Sequence, residues 1–111
     1  MSEFALLYRG GERPGTPQQM QQQMERWGAW MKGLTEKGHM KDPGHPLERE
    51  GKVVKGGGKT VTDGPYAETK DLVGGFTVIE AKDLAHAADL TQGCPIFAIG
   101  GLVEVRPIRK M

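Results

Sequence analysis

Four ionisable side chains, Asp63, Glu68, Lys70 and Asp71, fall within nine positions around Gly64-Pro65-Tyr66. Gathered in a cleft, such groups have the parts of acid–base catalysis. Asp63 would be the general base, with Lys70 and the distant Arg106 polarising a substrate oxygen. Asp63-Gly64-Pro65 is equally a turn by residue type, since Asp can bond its own downstream backbone, Gly accepts positive φ and Pro fixes φ. Glu68 and Lys70 can likewise be a solvated charge pair. His45, in a loop between Pro43 and Pro46, is a further candidate acid or base. Around this chemistry Tyr8, Trp30, Met31 and Tyr66 offer an apolar lining, and Glu68 and Arg106 polar contacts to a substrate.

Other candidate motifs are weaker. Gly56-Gly57-Gly58-Lys59-Thr60 ends like a phosphate-binding loop, but Val53 stands where the motif needs its first glycine, and a strand follows in place of a helix. His39, His45 and His86 fall at no metal-ligand spacing, so no metal or cofactor is expected. Nothing beside Cys94 in sequence would lower its pKa, and it reads as a buried structural thiol.

The chain has 111 residues, with 15 Lys and Arg against 14 Asp and Glu for a net charge of +1. This suits one domain and gives no global field to draw nucleic acid or an anionic membrane. No apolar run approaches membrane-spanning length, and Met1-Ser2-Glu3-Phe4 lacks the layout of a signal peptide. With a single cysteine, a reducing, cytoplasmic setting is expected.

The elements that must position these residues follow from pattern. Phe4 to Tyr8 is a short apolar run, predicting a first strand closed by Tyr8. Thr16, Pro17 and Gln19 form a helix start with a capping box, and Met20, Met24, Trp27, Met31 and Leu34 recur in steps of four and three. A helix over 17–37 with Gly38 as its stop is expected. Trp30 sits at the edge of the stripe, and Gly28 and Gly33 hint at a close neighbour or a site wall. The run from His39 to Pro46 reads as a loop because of its prolines. Leu47 to Lys55, broken at Gly51, should pair through Gly56-Gly57-Gly58 with Lys59 to Thr62 as a hairpin. Leu72 to Glu80 is the next strand. Asp83 caps a second helix over 84–92, with an inner face of Leu84, Ala87, Ala88 and Leu90 or Thr91. A linking segment leads to the last strand, where Glu104 and Arg106 share one face and Val103 and Val105 the other.

This order predicts a ferredoxin-like α+β domain, an antiparallel sheet with two helices on one face. The other face would be bare, and the apolar character of the strands on both sides predicts a homodimer that covers it.

Thr62-Asp63-Gly64-Pro65-Tyr66-Ala67-Glu68-Thr69-Lys70, with Gly74-Gly75-Phe76 and Glu104-Val105-Arg106-Pro107, resembles the YCII-related family, in its branch named for an Asp-Gly-Pro-Phe motif. Tyr66 replaces the Phe and adds a hydroxyl. The resemblance implies a dimeric α+β barrel, with two sheets packed face to face. For function it implies either a small cofactor-free enzyme, such as a lyase or isomerase, or an accessory protein associated with extracytoplasmic-function sigma factors. A His and Asp dyad is proposed in related proteins, but helix 17–37 here contains no histidine. A site in this chain would draw on Asp63, Glu68, Lys70 or His45.

Overall fold

The computed structural model describes residues 1–12, 15–64 and 72–111. Strands β1 (Ser2–Gly10), β2 (Met40–Pro46), β5 (Val73–Ala81) and β6 (Gly101–Pro107) form one antiparallel sheet in the order β2-β5-β1-β6. Helix α1 (Pro17–Glu36) joins β1 to β2, and α2 (Leu84–Asp89) with a 3-10 turn over Pro95–Ile99 joins β5 to β6. Both helices cover one face, which is the expected ferredoxin-like arrangement. Strands β3 (Gly51–Lys55) and β4 (Thr60–Gly64) form a separate two-stranded sheet between β2 and β5.

Alternation along the central strands decides what each face holds. Phe4, Leu6 and Tyr8 of β1 and Gly75, Thr77, Ile79 and Ala81 of β5 are buried beneath the helices. They pack with Leu34, Ala87, Cys94 and Ile96 in one core. Between them, Ala5, Leu7, Phe76 and Val78 point to the other face and stay half-exposed. Register puts Glu104 opposite Leu7 and Arg106 opposite Ala5 on that same face, while Val103 and Val105 pack against the core. Arg9 and Glu104 pair there at 2.9 Å, and Lys41 approaches Glu3 and Glu80 at 3.9 and 3.8 Å.

Helix α1 begins as its sequence predicts. Gln19 N donates to Thr16 Oγ1 at 3.1 Å, and Gln19 Oε1 accepts from Gly15 N at 3.0 Å. Gly38 ends it at φ 78°. Of its apolar stripe only Leu34 is buried, and Met20 and Met24 remain exposed. Met24 lines a cavity between the helix and the sheet instead of meeting a packed core. A Cβ on Gly28 or Gly33 would face open space, so neither marks a close neighbour or a wall.

Two expectations are corrected. The run after His39 is strand β2, because it lies at the sheet edge, where proline costs no ladder bond, and register shifts at 40/42 and 42/45 absorb Pro43. Gly44 makes the bulge possible: its φ is 70°, and a Cβ there would overlap the Phe76 carbonyl oxygen. Helix α2 ends at Asp89 and leaves Leu84 and Ala88 exposed, so Ala87, Leu90 and Thr91 form its inner side. Asp63 and Gly64 end strand β4, paired with Lys52 and Gly51, and Pro65, with which they were expected to turn, lies outside the described residues.

The hairpin turns through Gly56, Gly57 and Gly58 at φ 62°, 69° and 91°, as their composition predicts. It projects from the body: the radius of gyration is 15.5 Å, against roughly 13 Å for a compact chain of this length. No helix among the described residues is long and apolar enough to cross a membrane.

Candidate ligand cavity

Between α1 and the sheet lies a cavity of about 510 Å³. Its floor is Tyr8 of β1 with Gly75 and Thr77 of β5, and its roof is Met24, Trp27 and Met31 of α1. Ile96 and Ile99 close one side, and the chain leaving β2 at Leu47 and entering β5 at Leu72 closes the other. Backbone bonds fix these walls: Leu47 N donates to Gly74 O at 2.8 Å, Gly10 N to Leu72 O at 3.1 Å and Glu12 N to Ile99 O at 2.9 Å. Gly75 lets β2 approach closely at the floor, since a Cβ there would lie 3.1 Å from the His45 carbonyl oxygen and 3.3 Å from Pro46 Cα, and the edge strand would have to shift by a few tenths of an ångström.

The polar centre of this apolar space is a hydroxyl relay. Tyr8 Oη donates to Thr77 Oγ1 at 2.7 Å, and Thr77 Oγ1 donates to the Pro43 carbonyl at 3.0 Å. Trp27 meets Tyr8 edge-on with centroids 4.7 Å apart, and Trp30 stands behind at 6.3 Å. The three rings hold the phenol in place. Burial raises the Tyr8 phenol above its ordinary pKa; the bond to Thr77 opposes this, and the nearby Cys94 thiol adds to it. Tyr8 therefore stays a neutral hydroxyl near neutral pH. The Cys94 thiol is pushed up to about 11 by burial, against a lowering by the Ile96 backbone, as befits a structural thiol.

Only part of the predicted site comes together here. Tyr8 and Met31 line the cavity, while Trp30 packs behind Tyr8 and Trp27. His45 borders the cavity through its strand, but its ring meets Phe76 edge-on at 6.2 Å. Phe76 is its register partner and alternates with the buried Gly75 and Thr77, so this ring pair belongs to the opposite face. Arg106 is exposed on that face as well. Asp63 is 88 % exposed on the projecting hairpin and pairs with Lys52. Tyr66, Glu68, Lys70 and Asp71 lie outside the described residues. His39 and His86 meet edge-on at 5.2 Å, and no group of three metal-ligating side chains forms among the described residues.

Thr77 and Trp27 are the residues that sequence reasoning passed over. Thr77 carried a readable signal, because it is in phase with Ile79 and Ala81 on the buried face of β5. A polar side chain in such a phase must find a partner inside. Trp27 was visible only as core.

No curated relative matches this sequence. A YCII-related domain, by contrast, matches residues 4–111, nearly the whole chain, and the protein belongs to the YCII-related family.

Proposed function

We propose that the protein binds a small, largely apolar molecule in the cavity beneath α1. The observation that carries this reading is the cavity itself. Its 510 Å³ falls within the roughly 300–1,000 Å³ of small-molecule sites, and its apolar lining converges on a few fixed polar groups. Asp63 supports the reading less well, being solvated and matched with Lys52 on the hairpin. Lyase or isomerase chemistry would accordingly be built around the bound ligand at Tyr8 and Thr77, and the motif Asp63-Gly64-Pro65-Tyr66, with Tyr for Phe, supports membership of the Asp-Gly-Pro-Phe branch. The open sheet face, with Ala5, Leu7, Phe76, Val78 and Leu102, is the surface on which we expect a second copy to pack, forming a homodimer.

The test is a thermal-shift series with uncharged bicyclic compounds on wild type, Met31→Trp and Asp63→Asn. A ligand at about a hundred times its Kd stabilises by about 2.7 kcal/mol. The expected result is stabilisation that survives Asp63→Asn and is lost when Met31→Trp fills the cavity. Stabilisation lost in Asp63→Asn and kept in Met31→Trp would overturn the reading.

A further inference from the structure

The hydroxyl relay at the cavity floor has a fixed direction. The Pro43 carbonyl oxygen can only accept, so the single Thr77 proton must point to it. Thr77 Oγ1 is then left only its lone pairs, and it takes the one proton of the Tyr8 phenol. What Tyr8 Oη can still offer is lone pairs. We infer that the cavity selects an uncharged, mostly apolar molecule that presents a hydrogen-bond donor, a hydroxyl or N–H, to Tyr8 Oη. This inference rests on the cavity being the ligand site.

The surroundings support that selection. Among the lining side chains described, Tyr8 and Thr77 are the buried polar ones, at 7 % and 0 % exposed. The charged residues Glu12, Glu48 and Arg49 are exposed at the rim. A ketone, ether or carboxylate seated at the floor would set lone pair against lone pair, and a buried acceptor without a donor is disfavoured. Burial keeps the Tyr8 proton in place near neutral pH, so the direction of the relay does not change there. A donor on the ligand completes the floor without breaking either internal bond.

The test uses one matched pair, 2-naphthol and 2-methoxynaphthalene, titrated by calorimetry at neutral pH. The two differ in the donor, and both retain an acceptor oxygen. The ratio of their affinities in wild type is compared with the ratio in Tyr8→Phe, which lacks the lone pairs but keeps the ring. The expected result is a preference for the naphthol about 3- to 10-fold larger in wild type than in Tyr8→Phe, the factor of one hydrogen bond. Thr77→Val keeps the shape and frees the Tyr8 proton, so the preference there should move toward the ether. Equal ratios in wild type and Tyr8→Phe, with both compounds bound, would overturn the inference and leave the cavity reading standing. Failure of wild type to bind either compound would overturn both. If Tyr8→Phe does not fold, an unchanged ratio in Thr77→Val has the same force against the inference.

Discussion

The β3–β4 hairpin and the floor of the cavity are built from opposite materials. The hairpin carries Lys52, Lys55, Lys59 and Asp63 with a run of three glycines, and nearly all of it is exposed. The floor carries Tyr8, Gly75 and Thr77, all buried, with two hydroxyls and no charge. In sequence the stretch from Asp63 to Asp71 looks like the place for chemistry, and Asp63 is its member on the hairpin. In the fold its aspartate meets a lysine in water, while the quieter strands enclose a space with oriented polar groups. The difference teaches that an ionisable side chain such as Asp63 can be satisfied by water and a surface partner, and so need not mark a site. A lone hydroxyl in phase with buried positions is the rarer and more informative sign, because it must be satisfied inside.

This contrast can be broken at several points. Ile79→Ala should cost about 2–5 kcal/mol, whereas Val61→Ala on the hairpin, at a site 58 % exposed, should change stability by under about 0.5 kcal/mol. Denaturant unfolding of both variants measures this, and equal losses would mean that the hairpin is buried in solution.

Alkali should attack the body before the arm. Cys94 has a folded pKa of about 11 against an ordinary 9.0. The unfolded chain therefore loses its proton first, and stability present below pH 9 is lost as pH rises through about 11. Two pKa units set a limit of about 3 kcal/mol. Melting temperature followed over that window should fall, and a flat profile would show that the thiol is solvated.

Thr77→Val removes the bond to Pro43 and should cost about 1–3 kcal/mol, read as a lower unfolding midpoint. No loss at all would show that the relay is not formed. The smallest effect is expected at Asp63→Asn, under about 0.5 kcal/mol, because an exposed pair contributes little. A drop above about 1 kcal/mol would make the hairpin pair a structural anchor.

Local signals were legible wherever one stretch of chain decides the outcome. Thr16 and Gln19 placed the start of α1, the glycine run placed the hairpin turn, and alternation assigned Glu104 and Arg106 to one face of β6. Strand β2 was hidden because Pro43 and Pro46 forbid a central strand and are tolerated at an edge, a position that only the assembled sheet defines. The methionine stripe of α1 was periodic, yet periodicity cannot tell a packed wall from the roof of a cavity. The site was least legible of all, since Tyr8 and Thr77 are 69 residues apart and meet only through the pairing of β1 with β5.

The most direct test of the account is an amide and indole NMR titration of the protein with 2-naphthol. Perturbations centred on Tyr8, Gly75, Thr77, Ile96 and the Trp27 indole are predicted, with Lys52, Asp63 and Gly64 unmoved. Perturbations centred on the hairpin, with the cavity residues unmoved, would contradict it.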